Sequence, residues 1–100
     1  MDIKEINNTN SKNRFITYTC GNNLKYIIYA KDLKVAKSGI IYGNYHLHGV
    51  ALCFLVIDSN CTKNFVWRET NFVLNVNDVS QSSEEEIREL YKHLKYRKLN

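Results

Sequence analysis

The residues best placed to do chemistry are His46 and His48, which lie two apart in the run Tyr45-His-Leu-His48. On a strand that spacing sends both imidazoles to one face, where they could share a metal ion or pass a proton. Two ligands do not complete a site. Asp58 has the right parity, but ten residues of strand separate it from His48 by roughly 33 Å. Cys53 lies nearer and faces the opposite way unless Gly49 introduces a bulge. The pair therefore reads as surface or hydrogen-bonded histidines. A metal or acid–base role is the minority reading, and no cofactor is implied.

Nucleophilic chemistry is no better supported. The three cysteines, Cys20, Cys53 and Cys61, form no CxxC pair, and their odd number argues against a disulfide framework. They fit reduced thiols in a cytoplasmic protein. Cys53 sits in the apolar run Val50–Ile57 and reads as core filling, whereas Cys61 has polar neighbours and no basic residue closer than Lys63. GxSxG, HExxH and phosphate-loop patterns are all absent, and four glycines leave little room for them. The chain reads as non-catalytic.

What remains is binding. The net charge is +4, which favours an acidic partner without identifying one. Lys25, Tyr29 and Lys31 share a strand face with Phe15, and Lys34 and Lys37 follow directly. Rings that stack bases beside lysines that hold phosphates make a single-stranded nucleic-acid platform. The same face also reads as a half-buried strand whose lysines guard an edge.

Seven tyrosines, four phenylalanines and one tryptophan supply anchors for a protein interface, with Tyr29, Tyr42, Tyr45 and Trp67 the candidates. A protein-binding module is the favoured reading and the nucleic-acid platform its alternative. The candidate partner-binding residues are Lys25, Tyr29, Lys31, Lys34, Lys37, Tyr42 and Tyr45.

Asn, Lys, Ile and Tyr abound and proline is absent. The codons of those four residues are AT-rich, which points to low-GC bacteria and their phages. The expectation is a small phage or mobile-element accessory protein, working in the host cytoplasm, that inhibits a host enzyme or defence complex. A host protein is the first partner to expect, with nucleic acid or a second copy behind it. The longest apolar run, Val50–Ile57, is too short to cross a bilayer, so no membrane partner is expected.

These side chains must be positioned by a small set of elements. Residues 1–12 read as a flexible N-terminal arm and residues 13–100 as a single α+β domain. Arg14–Cys20 and Leu24–Ala30 form a hairpin around Gly21-Asn22-Asn23. A three-residue loop pairs Cys20 with Leu24, Tyr18 with Tyr26 and Ile16 with Ile28, leaving one apolar face.

Lys31–Lys37 reads as one helical turn capped by Asp32 or as a loop. Ile40–Tyr42 and Tyr45–Ile57 read as extended, with Val50–Ile57 buried on both faces. Asn64–Arg68 and Asn71–Val76 are further strands. Ser83 and Glu86, or in an alternative frame Ser82 and Glu85, form a capping box for a helix with the apolar stripe Ile87, Leu90, Tyr91 and Leu94. Lys92 to Lys98 complement its dipole, and Tyr96 and Leu99 extend the stripe towards a partner.

The expected architecture is an antiparallel sheet of about five strands with the C-terminal helix packed on it. The two-sided strand needs a second cover, supplied by curling into a small barrel or by a partner.

Overall fold

A computed structural model describes residues 14–21, 23–38 and 44–98. The expected arm, Ile40–Tyr42 with its candidate Tyr42, and Leu99 lie outside them.

The described residues form a six-stranded antiparallel sheet with one C-terminal helix. β1 (Arg14–Cys20) pairs with β2 (Leu24–Ser38), with Cys20 opposite Leu24, Tyr18 opposite Tyr26 and Ile16 opposite Ile28. This is the three-residue-loop register. Gly21 sits at φ +61°, the left-handed conformation that such a loop needs and that glycine adopts without steric cost.

Lys31–Lys37 is neither a helical turn nor a loop. β2 runs on to Ser38, where it lies opposite Asn44. Leu33 and Val35 pack on the core while Lys34 and Ala36 are exposed, an alternation that only a strand produces. Asp32, read as a cap, occupies φ 55° in a bulge between Lys31 and Lys34. Asp tolerates that region better than most residues because its short polar side chain bonds locally.

β3 (Asn44–Asp58) is the central strand. β2 flanks it on one side, while β4 (Lys63–Val66) and β5 (Thr70–Asn75) share the other. A second bulge at Leu52, with Tyr29 opposite Cys53 but Ala30 opposite Ala51, reverses the parity of β3 at mid-length. Leu47, Ala51, Cys53 and Leu55 are all odd-numbered and buried, but Leu47 and Ala51 serve one face of the sheet and Cys53 and Leu55 the other. Trp67–Glu69, the gap between β4 and β5, lies beside this bulge.

After β5 a 3-10 turn (Val76–Asp78) carries the chain to β6 (Val79–Gln81), which pairs with the outer edge of β1. This sixth strand is three residues long and largely polar, too short to show a period. Val76 and Val79 pack among Ile16, Ile28, Ala30, Leu47 and Ala51. The crossing segment thus helps to cover the first face. The sheet does not close into a barrel, since its outer strands, β6 and the β4–β5 pair, lie at opposite edges.

The helix α1 (Glu84–Lys98) covers the second face. Glu86 N–H donates to Ser83 Oγ at 3.2 Å and Ser83 N–H to Glu86 Oε1 at 2.8 Å, the expected capping box. Leu90 and Leu94 pack on Ile27, Cys53 and Leu55. Burying each leucine contributes roughly 1.5–3 kcal/mol. No helix among the described residues is long and apolar enough to cross a membrane.

Candidate partner-binding surfaces

A concavity lies where α1 overhangs the sheet. It has a volume of about 370 Å³ and is lined by Phe15, Tyr29, Trp67, Tyr91, Leu94 and Lys95. β1 and β2 supply the first wall. Phe15 and Tyr29 are directly paired across the two strands and their rings stack at 4.8 Å between centroids. Tyr91 closes over Phe15 at 5.4 Å.

The opposite wall is Trp67. It leans on Phe65 at 6.2 Å, and Phe65 in turn stacks on His93 of α1 at 5.5 Å. Trp67 leaves the β4 ladder at the break beside the Leu52 bulge, which explains how a tryptophan comes to be 48% exposed. Tyr91 is 54% exposed although it belongs to the apolar stripe of α1. A helix seated by Leu90 and Leu94 leaves the flank of a wide stripe hanging over the rim. Among the described residues, Lys95 is the only charged group in this lining.

The basic and aromatic residues nominated from the sequence are divided by the fold. α1 docks on the face that carries Phe15, Lys25, Tyr29 and Lys31. Lys25 Nζ meets Glu86 Oε2 at 2.6 Å, and Lys31 Nζ lies 3.7 Å from Glu69 Oε1. Tyr29 becomes part of the groove wall instead of an open platform. Lys34 stands opposite His48 and Lys37 opposite Tyr45. The two lysines therefore point to opposite faces, and Lys37 leaves the set. Tyr45 is 40% exposed on the first face, far from the groove along β3.

His46 and His48 share a face, as their spacing requires, opposite Asn75 and Val73 of β5. Cys53 does join that face, through the bulge at Leu52 and not at Gly49. It is fully buried beneath Leu90 and Leu94, and burial pushes its thiol up to about 11. Asp58 is turned to a structural task, its Oδ1 accepting from the N–H groups of Asn60 and Thr62 at 2.9 Å each. Among the described residues no three His, Cys, Asp or Glu side chains gather to hold a metal.

Sequence reasoning missed the convergence on Trp67 of Tyr91 and Lys95, because it depends on where the helix lands. Compared with known proteins, the chain matches no family model, no curated protein and no solved structure.

Proposed function

We propose that this chain is a non-catalytic protein-binding module whose groove between α1 and the β4–β5 break receives a bulky apolar side chain of its partner. The observation that carries this is the exposure of Trp67 and Tyr91 on either side of one apolar hollow. Large, rigid aromatics at the rim of a pocket are the anchors that dominate protein interfaces. Lys95 in an otherwise uncharged lining, on a chain of net charge +4, favours a partner segment that pairs its apolar residue with a carboxylate. The abundance of Asn, Lys, Ile and Tyr, residue types with AT-rich codons, supports the biological form of the proposal, a phage or mobile-element accessory protein that inhibits a host enzyme or defence complex.

Trp67 is the chain's single tryptophan, so its emission reports on the groove directly. A partner captured from a low-GC bacterial lysate is titrated into the protein while that emission is followed. A blue shift on binding, with affinity lost in Trp67→Ala and Tyr91→Ala, is the expected result. Binding that leaves the emission and both variants unaffected would place the interface elsewhere and end the proposal. So would tight binding of a single-stranded oligonucleotide whose affinity falls steeply with salt, which belongs to the nucleic-acid alternative.

A further inference from the structure

We infer that β5 is a self-association edge, which pairs antiparallel with β5 of a second copy about a twofold axis at Val73. β5 has β3 on one side and, among the described residues, no strand on the other. Open edges are ordinarily guarded by charge, by proline or by shortness. β4 has four residues and starts at Lys63, and β6 has three. β5 is six residues long, Thr-Asn-Phe-Val-Leu-Asn, with neither a charge nor a proline.

The strand is complementary to itself. A twofold axis perpendicular to the sheet pairs residues of like parity. Centred on Val73, it sets Phe72 against Leu74 of the second copy and Asn71 against Asn75 of the second copy. Phe72 and Leu74 line an apolar groove of about 260 Å³ with Tyr18, Tyr26 and Phe54, so this register lays two such grooves side by side.

On the other face Val73, 56% exposed, meets its twin between two asparagine pairs whose amides can hydrogen-bond across the axis. Centring on Phe72 would set Asn71 against Val73, and centring on Asn71 would set Val73 against Glu69. Only the Val73 register matches like with like on both faces, and the twofold repeats each off-axis contact.

The test is sedimentation of the full chain over a range of concentrations, for wild type and Val73→Lys. Val73 is exposed, so the lysine is harmless within one copy, but it sets two ammonium groups face to face at the axis. The expected result is a wild-type dimer whose dissociation constant rises at least about tenfold in the variant. Val73→Cys keeps a small apolar side chain and decides the matter should the lysine variant misfold. Oxidation should then join the two introduced thiols, read by mass spectrometry. A wild-type monomer at every concentration overturns the inference. So does a dimer indifferent to a folded Val73→Lys, or a crosslink formed only through Cys20 or Cys61.

Discussion

Lys25 Nζ lies 2.6 Å from Glu86 Oε2, tying the first hairpin to the opening turn of the helix. Burial alone would raise the Glu86 carboxyl, but the hydrogen bond from Lys25 and that from the Ser83 N–H outweigh it and hold the group below its ordinary range. A carboxyl lowered in the folded state stabilises the fold above its unfolded pKa, near 4.3. That contribution is lost as pH falls from there through the lower, folded value. Urea unfolding of wild type should therefore show a loss of stability across that acidic window that is smaller in Glu86→Gln. At pH 7 the substitution should cost about 0.5–1 kcal/mol, since glutamine keeps the cap but not the charge pair. Equal acid sensitivity in both proteins would show that Glu86 is not the titrating group.

Thiol labelling should divide the cysteines two to one. Cys20 and Cys61 are exposed and Cys53 is fully buried, with its thiol pushed up to about 11. A disulfide reagent at pH 8 should modify two thiols rapidly and the third only as fast as the protein unfolds, because the thiolate is the reactive form. Three equally fast reactions would contradict the seating of α1 on β3.

Thr70 should be replaceable at a gain. Its Oγ1 is buried and has no hydrogen-bond partner among the described residues. Thr70→Val removes the orphaned group while keeping the shape, and should stabilise the fold by about 1 kcal/mol. A destabilised variant, measured by urea midpoint, would mean that the hydroxyl is satisfied in solution.

Asp32 should tolerate glycine and reject a β-branched residue. At φ 55° the left-handed region costs a branched side chain about 1–2 kcal/mol. Asp32→Val should lower the unfolding free energy by that amount, whereas Asp32→Gly should leave it nearly unchanged. Matching values for the two would argue against the bulge between Lys31 and Lys34.

Local chemistry made part of this fold legible. The register of β1 on β2 follows from Gly21 and the loop length, and the start of α1 follows from Ser83 and Glu86, because each is decided within a few residues. The bulges at Asp32 and Leu52 were not legible in the same way. A parity change depends on which neighbour each half of the strand finds, and β3 finds β4 with one half and β5 with the other. The groove was hidden for the same reason. Trp67 stood out as an aromatic, but only the landing of α1 brings Tyr91 across from it.

The slip at Leu52 lets one uninterrupted apolar stretch furnish two separate interiors. Without the slip, unbroken alternation would turn Cys53 and Leu55 towards the side already occupied by Leu47 and Ala51. The helix would lose its seat although no residue of the helix had changed. A one-codon deletion at Leu52 itself should, by contrast, leave Cys53 and Leu55 facing the helix, because the slip is a single extra residue.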